Sequence, residues 1–217
     1  MTIQTDVEQL VDFINAELPR ETWTPWPGGW PNQIEAALID AVLSIGARYG
    51  SDANGVRGAV RRYRSAVGSE RPDDLSRLAN QDPEILQGIL NDQRISGRTK
   101  ASAIVEAAGN LLQIGVKTAA DLNPQDPVQK RAYVSVHGLG WVTWEYLGML
   151  LGKPGIKADR WVVRFVMRAL GREVSATDAK SLLVDAAGAL SATPTALDHA
   201  VWSYERSYEE SEGSEKA

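Results

Sequence analysis

The chain has 217 residues, 43% of them hydrophobic and 24% charged, with a formal net charge of −5. That is the balance of a folded protein with room for one large domain or two small ones. It has no cysteine and only two histidines, His137 and His199, which excludes disulfides, thiolate zinc sites and iron–sulfur clusters and leaves little for a histidine metal site.

The first residues carry acidic groups and no basic segment ahead of an apolar one, unlike a secretory signal. No apolar run reaches the roughly 18 residues of a membrane span. A cytoplasmic protein with no membrane partner is expected. Val7, Leu10, Val11, Ile14 and Leu18 recur at spacings of three and four and predict a helix over 6–18. The stretch 22-TWTPWPGGWPN-32 breaks the pattern with prolines and glycines. Its tryptophans, Trp23, Trp26 and Trp30, are expected to lock the first helix onto the body; a base-stacking platform is the sharper alternative. Helical patterns follow over 32–49, 53–67, 72–79, 83–91, 99–115, 118–122, 127–134, 141–151, 160–170, 176–190 and 193–208. Ser51, Thr99, Ser175 and Thr193 stand where N-caps belong. No segment alternates with a period of two, so little sheet is expected and the fold class is all-α. The acidic balance is not that of a strongly basic nucleic-acid binder, and the best local charge is 57-RGAVRRYR-64. A solvated helix face is the plainer reading of that run. The acidic end, 209–217, is expected to be a disordered tail.

The most informative stretch runs from Val136 to Gly171. Helical patterns over 127–134 and 141–151 are joined only by Val136, His137, Gly138, Leu139 and Gly140. Glycine permits positive φ and the close approach of another backbone. The second helix then opens near Trp141 with unpaired N–H groups that favour an anion such as a phosphate. Leu139, between the glycines, would anchor the turn to the core. Lys153, Pro154 and Gly155 make a further turn, and Asp159 stands at the mouth of the next apolar run.

This stretch resembles the helix-hairpin-helix and following Gly/Pro segment and aspartate of the HhH-GPD superfamily of base-excision DNA glycosylases, in the manner of endonuclease III relatives. Val136 to Gly140 fall on the hairpin, Thr143 on its threonine, and Asp159 on the aspartate. Arg164 and Phe165 match the helix after it. More loosely, 34-IEAALIDAVLSIGARYG-50 is similar to the early helix and loop that supplies base-pocket and wedge residues, 97-GRTKASAIVEAA-108 to a lysine-bearing helix start, and 197-LDHAVWSYERS-207 to the last helix before an iron–sulfur loop that is absent here. The resemblance implies a two-lobed helical fold: 32–154 as the lobe ending in the hairpin, 1–31 plus 155–208 as the other, with the base entering between them.

The resemblance also implies roles. Asp159 would be the catalytic carboxylate, stabilising positive charge on the deoxyribose and orienting or deprotonating water; a helix N-cap is its plainer reading. His137, Gly138, Leu139, Gly140, Trp141, Val142 and Thr143 would hold the DNA backbone. Lys157 would add a phosphate contact, its plainer reading being a solvated loop lysine. Arg48 and Tyr49 would serve the base pocket or wedge, against a plainer reading as a surface helix end. Val142 stands where bifunctional members carry a nucleophilic lysine, so lyase activity is not expected. His137, Trp141 and Trp144 also depart from the family pattern. The implied partner is double-stranded DNA with a damaged or modified base, bound by a monomer without a cofactor, a monovalent cation at the hairpin being left open. A non-catalytic DNA-binding module and a helical protein-interaction domain are the alternatives. The excised base stays open among uracil, alkylated, oxidised, mismatched and bulky modified bases.

Overall fold

The computed structural model describes residues 3–47 and 55–215. In chain order the elements are α1 (Ile3–Glu17), α2 (Ile34–Leu43), α3 (Val56–Val67), α4 (Leu75–Ala79), α5 (Pro83–Ile89), the ribbon β1 (Arg94–Ile95) and β2 (Arg98–Thr99), α6 (Lys100–Gln113), α7 (Pro127–Val134), α8 (Trp141–Leu150), α9 (Arg160–Leu170), α10 (Ala176–Ala189) and α11 (Pro194–Glu215). They form two compact units, Gly28–Lys153 and Met1–Pro27 with Pro154–Ala217. None of the described helices is long and apolar enough to cross a membrane.

The Gly28–Lys153 unit is built around α2, whose every residue is buried. A helix apolar nearly all round must be enclosed, and α2 packs against α3, α6 and α8. Its two carboxylates need donors to stay there. Glu35 accepts from the Tyr63 hydroxyl and from the Asp74 N–H at 2.9 Å. Asp40 accepts from Trp30 Nε1 at 2.9 Å and Ser44 Oγ at 3.0 Å; burial pushes its carboxyl up, against those bonds. Trp30 is therefore core of this unit, and its backbone N–H bonds the Leu150 carbonyl at 2.5 Å.

The other unit packs α1 against α9 and α10, and α11 against α9 and α10. Phe165 lies at its centre, edge-on to Phe13 at 5.3 Å and to Tyr204 at 5.9 Å. The fully buried Glu205 is held by Arg164, at 2.5 Å, and by Arg168; a buried carboxylate persists only with such partners. Trp23 stays within this unit, its Nε1 on the Leu18 carbonyl at 2.9 Å.

Three expectations from the sequence differ from what is seen. The 32–49 helix stops at Leu43. Residues 118–122 are a turn, because Asp121 Oδ2 collects the Lys117 and Thr118 N–H groups at 3.1 and 2.8 Å, a side-chain competitor to helix. The little sheet that was expected is one small ribbon: Arg94 pairs with Thr99 around Ser96 and Gly97, both with positive φ (47° and 83°), as two-residue hairpins require. The last helix continues to Glu215, through the acidic stretch expected to be a disordered tail; glutamate is a good helix former, and each added residue gains a bond once the helix is nucleated. Thr99, Ser175 and Thr193 do cap their helices, whereas Ser51 lies outside the described residues.

Candidate active site

The turn between α7 and α8 is pinned from inside. Val136 and Leu139 are buried, and the Leu139 N–H closes the turn on the Val136 carbonyl at 3.0 Å. Between these pegs His137 is exposed, as is Gly140. Gly138 has φ +95°, and a Cβ there would lie 2.9 Å from Ile95 Cγ1 of β1. Only glycine meets both demands. Gly140 is different: it is extended at φ −128°, and a Cβ there would meet nothing within 4 Å. Thr143 Oγ1 donates to the Gly140 carbonyl at 2.8 Å and accepts from its N–H at 3.3 Å, which fixes the start of α8. The first N–H groups of α8 then have no acceptor within the helix and point past an exposed glycine.

Trp141, Val142 and Thr143 are half-buried on that first turn, and Lys130 Nζ lies 5.8 Å above the Trp141 ring. Trp144 is fully buried, its Nε1 on the Pro124 carbonyl at 2.9 Å and its ring 5.5 Å from Tyr133. The large residue at this hairpin position is thus a core anchor.

Asp159 stands in the other unit. In the segment before α9, Ile156 and Ala158 are buried while Lys157 and Asp159 are half-buried, and the Asp159 N–H closes a tight turn on the Lys157 carbonyl at 2.6 Å. Asp159 is the N-cap of α9. Its Oδ1 accepts from the N–H groups of Trp161 (2.9 Å) and Val162 (3.4 Å), and its Oδ2 pairs with Lys157 Nζ at 3.3 Å. One oxygen is fixed by the helix, and the other, with 21% of the side chain exposed, faces the ammonium. The capping reading is therefore correct, and Oδ2 is engaged by Lys157 rather than by the helix. Arg48 and Tyr49 lie outside the described residues.

The sequence did not single out Asp198. It is buried on α11, and its Oδ1 accepts from the Lys157 N–H at 2.7 Å. Burial raises its pKa to about 7, opposed by the Lys157 ammonium and assisted by the Asp159 charge. Its only local signal is an acidic residue inside the apolar register Leu197, Ala200, Val201. Burial and the Lys157 ammonium both push His199 down, and the ring stacks on Trp202 at 5.6 Å.

Among solved structures the chain is similar to the H. pylori 3-methyladenine DNA glycosylase MagIII, solved bound to 1,N6-ethenoadenine, with a TM-score of 0.62 and 16% identity over 96% of this chain and 98% of that one. It is also similar to MBOgg1, solved in complex with a low-affinity DNA ligand, with a TM-score of 0.58 and 15% identity over 96% of this chain and 72% of that one. No curated protein matches it by sequence. The profile of a domain of unknown function (DUF8548) matches residues 8–206. The chain thus has the HhH-GPD glycosylase fold and belongs to the DUF8548 family.

Proposed function

We propose that the chain is a monofunctional DNA glycosylase that hydrolyses the N-glycosidic bond of a damaged or modified base, with Asp159 as the catalytic carboxylate. The observation that carries this reading is the division of labour within Asp159, one oxygen held by two backbone N–H groups and the other paired with Lys157. A carboxylate so fixed stabilises the positive charge that grows on the deoxyribose as the C1′–N bond breaks. The bond's electron pair leaves with the base, a water oxygen bonds C1′, and the water proton passes to the carboxylate or the departing base. The target nucleotide has to leave the stack to reach it. The hairpin around Gly138 and Gly140 would hold the phosphate backbone through N–H groups, independent of sequence. Val142 offers no amine for a Schiff base at the hairpin, which supports hydrolysis without strand cleavage. The glycosylase neighbours of the fold support the same chemistry.

The test is excision from duplex oligonucleotides carrying a panel of modified bases, followed by alkali. Asp159→Asn keeps an N-cap acceptor, so its melting temperature should stay near that of the parent while excision falls by about 10²-fold or more. Alkali-dependent breaks that vanish in the variant establish the reading. DNA binding without excision at any base, in both proteins, replaces it with a non-catalytic binding module.

A further inference from the structure

The segment 155–157 is clamped by α11 at two points one helical turn apart. Thr195 Oγ1 accepts from the Gly155 N–H at 3.2 Å, and Asp198 Oδ1 accepts from the Lys157 N–H at 2.7 Å. A hydroxyl would suffice for each bond, since each needs only a neutral acceptor. At the second point, however, the chain buries a carboxyl group, with 4% of the residue exposed. A buried carboxylate costs far more than a buried hydroxyl, so the backbone bond alone does not account for it.

The charges around it do. The Lys157 ammonium pairs with Asp159 Oδ2 at 3.3 Å and also acts on Asp198. Two carboxyl groups thus act on one cation: Asp159 by a direct ion pair, and Asp198, whose Oδ1 holds the Lys157 N–H at 2.7 Å, through its charge. We propose that Asp198 is a positioning residue whose ionisation draws the Lys157 ammonium away from Asp159, so that the negative charge of Asp159 is fully available to the reacting sugar only when Asp198 is itself ionised. This rests on the assignment of Asp159 above. The groups acting on Asp198 are Lys157 and Asp159 from the segment it clamps, and His199, beside it on α11, feels the same ammonium. Burial places the ionisation of Asp198 near pH 7, where the proton balance of a cell can move it. While Asp198 is protonated, Lys157 belongs to Asp159 and offsets its charge. As the pH rises through the transition, the ammonium is shared and the site gains net negative charge, which favours an oxocarbenium-like transition state.

The experiment has two arms. In protein with ¹³C-labelled aspartate and ¹⁵N-labelled lysine, the Lys157 Nζ resonance should shift in the same step in which the Asp198 carboxyl titrates, and Asp198→Asn should abolish that step. The single-turnover excision rate, measured from about pH 5.5 to about pH 8.5, should rise by up to about tenfold per pH unit below the midpoint, and Asp198→Asn, which retains an acceptor for the Lys157 N–H, should flatten this rise. Thr195→Val loosens the same segment without changing its charge and should keep the parent pH profile. A Lys157 signal that ignores Asp198, or an unchanged profile in Asp198→Asn, overturns the proposal. Excision that survives Asp159→Asn overturns the catalytic assignment instead, whatever Asp198 does.

Discussion

Gly138 and Gly140 lie two residues apart in the sequence, and the structure gives them opposite reasons for being glycine. Gly138 has a positive φ and side chains of the ribbon within van der Waals reach of its missing Cβ. Gly138→Ala should therefore destabilise the protein by about 1–3 kcal/mol. Gly140 is in ordinary extended backbone with open space around it. Gly140→Ala should leave stability within about 0.5 kcal/mol yet put a methyl group where a DNA backbone would approach the hairpin amides. Thermal melts and anisotropy with a duplex bearing an abasic-site analogue separate the two. Comparable losses of binding and stability in both variants would make Gly140 a folding residue. The sequence marks both glycines, because a two-helix turn this short has few solutions. It cannot tell them apart, because the contact that constrains Gly138 comes from Ile95, far away in the chain. Asp198 was hidden for a similar reason: its partner Lys157 lies 41 positions away, and the one local sign, an acidic residue inside an apolar register, does not say what it holds.

At the scale of elements, the apolar spacings of three and four place most helices correctly, since one buried face is enough to specify a helix against a core. The places where they fail are the places where a long-range partner ends an element. The clearest is the end of α2. Lys100, the first residue of α6, sends its buried ammonium to the carbonyls of Leu43 (2.8 Å) and Ile45 (2.7 Å) and to Gln93 Oε1 (2.8 Å). A cation at the first turn of its own helix opposes the dipole of α6, but here it caps the negative end of α2. The helical period of 32–49 continues past Leu43 in sequence, while the carbonyls that would continue it point at Lys100. Lys100→Met should cost about 1–3 kcal/mol by leaving those acceptors without their donor. Burial lowers the Lys100 pKa to about 8, below the roughly 10.4 of an unfolded lysine. Between those values the unfolded chain binds the extra proton, so the parent gains stability as pH rises. The gap between parent and Lys100→Met should accordingly widen from about pH 8 to about pH 10 in urea titrations. A gap that narrows would show that the ammonium, and not the amine, is what the α2 carbonyls require.

At the scale of the whole molecule, the proposed function raises the question of where a protein of net charge −5 keeps the positive charge to meet DNA. The basic run of α3 is exposed at Arg61 and Arg62 and partly tied into its own unit. Arg57 bonds the Gly28 carbonyl at 2.9 Å, Arg62 the carbonyls of Ile89 and Leu90, and Arg64 the Gln33 side chain. Arg57 and Arg64 also cover the Trp30 ring, at 5.4 and 4.6 Å. On α9, Arg164 and Arg168 are held by Glu205, and Arg172 by Asp6 at 2.6 Å. Sequence offered the α3 run as the best local charge for a DNA binder, with a solvated helix face as its plainer reading; in the structure Arg57, Arg62 and Arg64 of that run each bond a carbonyl or amide of their own unit. Under the proposed function, the neutral N–H groups at the hairpin and the flipped nucleotide supply much of the DNA affinity, and neither displaces many counterions. The dependence of log affinity on log salt should be shallow, about −3 or less in magnitude, where six neutralised phosphates would give about −5. Anisotropy on an abasic-analogue duplex from about 50 to about 200 mM KCl measures it. Undamaged duplex, which offers no flipped nucleotide, should bind weakly throughout that range. A slope of about −5 or steeper would mean that some of these arginines leave their internal partners when DNA arrives, and that those pairings are a resting arrangement of the protein.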